Sequence, residues 1–221
     1  MKKLLIFVLM LVLIPVGILS YLGFVPGFSK YVVKATDLGI VTDKSLVTAF
    51  ETKYGQKDGS GKVKLDVNMS SEEITSVFAV WEDRDIYFPL KDVQVRFNAD
   101  GTAEAAGYLK IATAVSLAKN LGYSDDDIQK GKDYIKYVSG DLPFYVKGTG
   151  GMQNNRLSIN PSDFKLGRVN VPESITTPAS KLVGDMVNRR LRQIGGADIK
   201  EASFKAGSFK LIGTVPDTIK Y

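Results

Sequence analysis

The chain has 221 residues, of which 29 are Lys or Arg and 24 are Asp or Glu, and it contains neither His nor Cys. The absence of both excludes Ser-His-Asp triads, cysteine nucleophiles, disulfides, covalent haem and the usual His/Cys zinc sites. A net charge of +5 is too small to indicate nucleic-acid binding. The composition is that of an ordinary globular protein, and we expect no cofactor, no metal and no nucleic-acid partner.

The first 29 residues predict a membrane anchor. Lys2 and Lys3 precede an uncharged, mostly apolar run from Leu4 to Ser29. About 20 apolar residues suffice to cross a bilayer as a helix. Cleavage as a signal peptide is the alternative, but the sequence around Ser20 lacks the small residues that peptidases prefer. Because the first positive flank usually sets orientation, we expect a single-pass protein of the cell membrane with its body on the extracytoplasmic side.

A neck and one body domain are expected after the anchor. Residues 30–61 contain a short helix that Asp43 can cap, and they end in a Gly-rich polar turn. Residues 62–221 are numerous enough to form one domain with its own core. The expected division is therefore anchor 1–29, neck 30–61 and domain 62–221.

The first half of the domain predicts a strand, a helix and a hairpin. Apolar and polar residues alternate over residues 62–69, which is typical of a half-buried strand. Ser70 and Glu73 form a capping box for the next helix. We expect its apolar face to consist of Ile74, Val77, Phe78 and Trp81. Two strands then follow, joined by a turn at residues 98–101.

The second half predicts a helical insert, more strands and a long helix. The insert covers residues 111–121 and a second helix that Ser124 caps. Strands resume over three stretches, residues 142–148, 156–159 and 163–171. We expect breaks at Gly150-Gly151 and at residues 160–162. The long helix is expected to start at Pro178 and to turn inward a set of apolar residues that includes Leu182, Val183 and Met186. A hairpin over residues 199–214 ends the domain.

These elements predict an α+β fold. The patterns give about eight strands and four body helices. Because most connections between strands are short, we expect a curved, mainly antiparallel sheet packed on the long amphipathic helix, after an N-terminal transmembrane helix. Ala103, Ala105 and Gly107 supply small residues at which such a sheet can bend.

Three short motifs suggest chemistry, and a structural interpretation is simpler for each. Ser116 and Lys119 form the S-x-x-K pair of serine acyl-enzymes, but the accompanying motifs are broken or in the wrong order. Residues 98–104 alternate oxygen-bearing side chains, yet they lack the Gly and Glu that a calcium loop requires. Residues 148–151 lack the ending of a phosphate-binding loop. We therefore expect no enzyme, no catalytic residue and no metal site, with a Ser-Lys hydrolase kept as a minor alternative.

Five segments after the anchor have a suggestive order. They are S-E-E-I-T (71–75), V-Q-V-R-F-N-A-D-G-T-A-E-A-A-G (93–107), L-P-F-Y-V-K-G-T-G (142–150), L-S-I-N-P-S-D-F-K-L-G-R-V-N-V-P (157–172) and F-K-A-G-S-F-K-L-I-G-T-V-P (204–216). In this order they resemble the YpmS-type and LmeA-type bacterial envelope proteins, whose domains are similar to the tubular lipid-binding (TULIP) fold. The resemblance implies a curved sheet wrapped on a long helix, with an apolar groove for an acyl chain and no active-site residues. The helical insert departs from the simplest form of this pattern.

We therefore expect an anchored, non-catalytic domain that binds lipid or another hydrophobic ligand. The expected lining residues are Val93, Val95, Phe97, Phe144, Val146 and Met186. The alternative is a structural or interaction subunit of a cell-envelope assembly, with envelope proteins as partners and no small ligand. An open groove would favour ligand binding, and a packed interior with an exposed apolar patch would favour assembly.

Overall fold

The computed structural model describes residues 33–54, 61–134 and 141–216, together with Ile18. The predicted anchor over residues 1–29 lies outside this description except for Ile18, as do the start of the neck and most of its Gly-rich turn. Among the described residues, no helix is both long enough and apolar enough to span a membrane.

Residues 33–54, 61–134 and 141–216 form five helices and eight strands. The helices are α1 (Lys44–Tyr54), α2 (Ser71–Arg84), α3 (Ile111–Asn120), α4 (Asp125–Tyr134) and α5 (Glu173–Gln193). The strands are β1 (Lys62–Met69), β2 (Leu90–Phe97), β3 (Ala103–Lys110), β4 (Asp141–Gln153), β5 (Arg156–Leu166), β6 (Val169–Asn170), β7 (Asp198–Lys205) and β8 (Ser208–Pro216). All strand pairs are antiparallel, which confirms the α+β prediction.

One sheet contains all eight strands, and β4 joins its two halves. The strand order is β1-β8-β7-β4-β3-β2, with β5 on the other edge of β4 and β6 beside β5. Residues 141–148 of β4 pair with β3, and residues 151–153 pair with β7. Both β3 and β7 therefore use the edge of β4 that β5 leaves free, one after the other along the strand.

The two halves of the sheet curl until their hairpin tips meet. The backbone N–H of Gly207, in the β7–β8 turn, donates to the carbonyl oxygen of Asn98 at 3.2 Å. The ring of Phe97 stacks on those of Phe204 and Phe209, at centroid distances of 5.4 and 5.9 Å. These contacts give the sheet a concave, apolar inner face.

Strand register extends this inner face from β2 to β5. Val95 lies opposite Ala105, Ala105 lies opposite Val146, and Val146 lies opposite Phe164. Because alternate residues of a strand share a face, the apolar residues of these strands line up on one side. Gly107 lies against a bulge in β2, and a Cβ there would come within 2.9 Å of the Lys91 carbonyl oxygen.

The outer face of the same strands carries a polar cluster around Glu104. This buried carboxylate accepts hydrogen bonds from Arg96 at 3.0 and 3.1 Å, from the Asn98 amide at 3.0 Å and from the Tyr145 hydroxyl at 2.8 Å. Burial and the bond to Glu104 raise the pKa of Tyr145 to about 12. Arg96 also donates to the carbonyl oxygen of Leu38, which ties the neck to the sheet.

Helix α2 lies along the edge of β2 that faces away from β3. Side chains of α2 form hydrogen bonds with backbone groups on that edge. The capping box between Ser70 and Glu73 is confirmed, with bonds of 2.7 and 3.2 Å. One helical turn later, the fully buried Thr75 hydroxyl accepts from the Val95 N–H at 2.9 Å and donates to its carbonyl oxygen at 3.3 Å. The helix thus takes the place of a neighbouring strand.

Thr75→Val is expected to lower the free energy of unfolding by about 1–3 kcal/mol, because it leaves the buried Val95 N–H and carbonyl without a partner while keeping the side-chain shape. Urea unfolding followed by circular dichroism measures the change. Thr177→Val, at an exposed position on α5, is the matched control and should change stability by at most about 0.5 kcal/mol. Equal losses in both variants would contradict this role of Thr75.

The predicted breaks in the middle strands are wrong. Residues 148–151 lie inside β4, and residues 160–162 lie inside β5. The glycines allow close strand approach, since a Cβ on Gly150 would come within 2.9 Å of the Ser158 carbonyl oxygen. The chain instead turns at Asn154 and Asn155, whose φ angles of 49° and 61° suit a two-residue hairpin turn.

Two helix predictions also need correction. Helix α5 begins at Glu173 rather than at Pro178, so Pro178 lies inside the helix. Leu182 and Val183, expected to face inward, are 44% and 47% exposed. Trp81 of α2, assigned to an apolar core face, is 48% exposed. Ile74 and Phe78 of α2 do pack against the core as expected. Small or hydroxyl-bearing residues, such as Thr75 of α2 and Gly184 of α5, are also buried in each helix.

Candidate functional site

A groove lies between strand β5 and helix α5. At one end the two elements touch, because the Leu157 N–H donates to the Asn188 side-chain oxygen at 2.9 Å. At the other end the Val171 N–H donates to the Phe164 carbonyl oxygen at 2.8 Å, and the Thr176 hydroxyl donates to the Val171 carbonyl oxygen at 3.1 Å. Between these ends the elements separate around a space of about 800 Å³.

Apolar and polar residues alternate along the strand side of the groove, and the apolar ones share one face of β5. Leu157, Ile159, Pro161 and Phe164 line it, and all four are only partly buried. They belong to the inner face of the sheet, since Phe164 pairs with Val146 across the β4–β5 ladder. The inner face therefore continues into the groove with apolar surface that no described part of the chain covers completely.

The helix side of the groove consists of small and polar residues. Thr176, Ser180, Gly184 and Asn188 recur at every fourth position, so they share one face of α5. Gly184 is buried, and a Cβ there would lie 3.4 Å from the Leu157 carbonyl oxygen. Bulky side chains on this face would fill the groove, whereas these residues keep it open.

The helical insert contacts α5 beside the groove. The Tyr123 hydroxyl, in the loop between α3 and α4, donates to the Asp185 carboxylate. Arg189 binds the same carboxylate at 2.9 Å and lies over the Tyr123 ring at 4.2 Å. Burial, together with the bond to Asp185, raises the pKa of Tyr123 to about 12, and that bond lowers the pKa of Asp185. The Asp185 charge at the rim is thus already compensated, while Lys181 is exposed there.

Four of the six residues that the sequence assigned to a ligand site pack together in the core. Val93, Val95 and Phe97 are buried, and Phe144 packs against them. The last two, Val146 on β4 and Met186 on α5, are partly buried and lie outside this cluster. The groove lining contains none of the six. Sequence reasoning missed the groove because α5 was assumed to bury its large apolar residues rather than its small ones.

The S-x-x-K motif lies away from the groove lining, on helix α3. The Ser116 hydroxyl is exposed and donates to the Ala112 carbonyl oxygen of its own helix at 3.1 Å. Lys119 forms an ion pair with Asp125 at 3.3 Å, and both side chains are largely exposed. The absence of catalysis stays a prediction.

In the hairpin turn that resembles a calcium loop, side-chain oxygens form hydrogen bonds within the turn itself. Asp100 accepts from the Thr102 N–H at 2.9 Å and from its hydroxyl at 2.6 Å. Both bonds lower the pKa of Asp100, and the bond from the Thr102 hydroxyl has the larger effect. In the part of the chain that the structure describes, no three acidic side chains come together in a way that would hold a metal ion.

Comparison with known proteins identifies no family for this chain. A scan of the chain against protein-family models finds no match, and a search of curated proteins finds none either. The resemblance to YpmS-type and LmeA-type envelope proteins rests on the order of sequence segments and stays a prediction.

Proposed function

We propose that this protein is a membrane-anchored, non-catalytic module that binds a lipid in the groove between β5 and α5. The observation that carries the proposal is the opening of the apolar inner face into that groove, beside Ile159 and Phe164. The ligand would lie there rather than against Val93, Val95 and Phe97, whose side chains the core already buries.

The two walls of the groove suit an amphipathic ligand. An acyl chain on the strand side would remove apolar surface from water, which contributes about 25 cal/mol for each Å². Hydroxyl and amide groups of α5 face that chain, and the exposed Lys181 at the rim can pair with an anionic headgroup. A space of about 800 Å³ lies within the usual range for small-molecule sites.

Native mass spectrometry of the full chain, released from detergent, tests the proposal. We expect one lipid per chain in the wild type and about a tenfold lower lipid-bound fraction in Ser180→Trp, whose indole fills the groove. Ser116→Trp is the matched control, because Ser116 is also a helical serine bonded to its own helix backbone but is exposed on α3. A wild type that neither carries lipid nor takes up added lipid would end the proposal.

A second candidate is an interaction subunit that pairs with a partner strand. Among the described residues, β5 has a neighbouring strand on one edge only between Leu157 and Phe164. Because the Leu157 N–H points towards α5, the Ile159 N–H two residues later points the same way, into the groove. An extended peptide could add there as a strand. A photo-crosslinker at the exposed Ser158 separates the candidates, since it would label lipid in one case and protein in the other.

A further inference from the structure

An exposed apolar surface lies at the end of α2, far along the chain from the groove residues. Trp81, Ile86 and Tyr87, here called the aromatic corner, are 48%, 80% and 50% exposed. The Trp81 ring packs edge-on against Phe78 and Phe88, at centroid distances of 5.7 and 6.0 Å. These contacts fix one face of the indole to the domain and leave the rest of its surface in water.

A tight turn holds the aromatic corner in place. The Asp85 N–H donates to the Trp81 carbonyl oxygen and the Phe88 N–H donates to the Asp85 carbonyl oxygen, both at 2.9 Å. The Asp85 carboxylate accepts from the Tyr87 N–H at 2.8 Å. The exposure of Ile86 and Tyr87 is therefore built into the backbone path of the turn.

The chain leads towards the predicted anchor at this same end of the sheet. The Leu38 N–H donates to the Gln94 side chain at 2.7 Å, and the Ala35 N–H donates to the Tyr108 hydroxyl at 3.2 Å. Tyr108 pairs with Lys91, near the start of β2. Followed backwards, the neck thus runs along the sheet towards the strand ends where the turn of the aromatic corner joins β2.

The short segment between the uncharged run and the first described residue of the neck limits how far this end of the sheet can lie from a membrane. The uncharged run ends at Ser29, and Val33 is the first described residue of the neck. Four residue steps span at most about 14 Å. We propose that the aromatic corner lies on the bilayer surface and inserts Trp81, Ile86 and Tyr87 among the lipid headgroups. This inference rests on the predicted anchor and goes beyond lipid binding in the groove.

The charges around the aromatic corner indicate the kind of bilayer it contacts. Acidic and basic residues are mixed there, since Lys44 forms an ion pair with Asp83, and Glu82 and Asp85 flank Arg84 in the sequence. Attraction to anionic headgroups therefore contributes little, whereas Trp and Tyr favour the membrane–water interface in any leaflet. We expect contact with neutral phosphatidylcholine bilayers and little effect of salt.

The fluorescence of Trp81 tests the proposal directly, because it is the only tryptophan in the chain. The full chain, with residues 1–29 verified by intact mass, is reconstituted in phosphatidylcholine vesicles with or without bromine on the acyl chains. We expect brominated lipid to lower the Trp81 emission by about twofold or more, since an interfacial indole reaches the quencher. Emission that is equal in both vesicles would overturn the proposal.

Two variants separate insertion from incidental proximity. Ile86→Asp should reduce the quenching by at least about half, because a charge opposes insertion of the turn. Leu182→Asp is the matched control, since Leu182 is also an exposed apolar residue, at 44%, but lies on α5. Equal reductions in both variants would overturn the proposal.

Discussion

Gly148→Ala adds a single methyl group, yet it is expected to lower the free energy of unfolding by about 3 kcal/mol. A Cβ at this position would lie 2.8 Å from Pro161 Cα and 3.0 Å from the Asn160 carbonyl carbon, and closer still to the Asn160 oxygen. All three atoms belong to the backbone of β5, so no side-chain rotation can relieve the contact. Chemical denaturation of the full chain in detergent measures the loss.

Gly195→Ala is the matched control for this prediction. A Cβ on Gly195 would have no atom of the described residues within 4 Å, so the change in stability should stay within about 0.5 kcal/mol. If Gly148→Ala were as stable as the control, the close approach of β4 and β5 at Gly148, where the register of their ladder shifts, would be wrong. The groove would then also need revision, because the same strand forms its apolar side.

Glu104→Gln is expected to cost about 2–3 kcal/mol at neutral pH, since it removes a buried charge that three donors share. The side chain keeps its size, but an amide nitrogen replaces one of the two oxygens that accept from Arg96, Asn98 and Tyr145. Glu72→Gln, at an exposed position in the first turn of α2, should cost at most about 0.5 kcal/mol. Equal losses in the two variants would contradict the role of the cluster.

The same variant should change the acid sensitivity of the protein. Burial alone would raise the pKa of Glu104, but the bonds from Asn98, Tyr145 and Arg96 outweigh it and lower the pKa below its ordinary value of 4.5. A lowered folded-state pKa stabilises the fold above the ordinary value, and this contribution is lost as the pH falls through the folded-state pKa. Unfolding curves between pH 7 and 3 should therefore converge for wild type and Glu104→Gln below about pH 4.5.

Local signals in the sequence were sufficient for much of the fold. The capping box at Ser70, the turn after Asn98 and the alternation in β1 each depend on neighbouring residues, and the structure has all three. The break predicted at Gly150-Gly151 failed because glycine has two uses. It permits turns, and it also permits close strand contact, which depends on residues far along the chain.

The candidate site was harder to predict because it depends on packing between distant elements. Helical periodicity places Leu182 and Val183 on an apolar face, but periodicity does not say which face meets a strand edge. In α5 that contact needs small side chains, and Gly184 provides one. A stripe of Thr176, Ser180, Gly184 and Asn188 was visible in the sequence and was the available signal for the groove.

The pairing of β1 with β8 has a consequence for the order in which the molecule can be completed. β1 has β8 as its strand neighbour, and Lys62 lies opposite Pro216 in that ladder. Synthesis begins at the amino terminus, so β1, the first strand of the domain, gains its partner only after β8 has been synthesised. Such long-range pairing slows folding. During that delay the apolar residues Val63, Leu65 and Val67 are open to chaperones, and the sheet closes only after translation has passed its last strand.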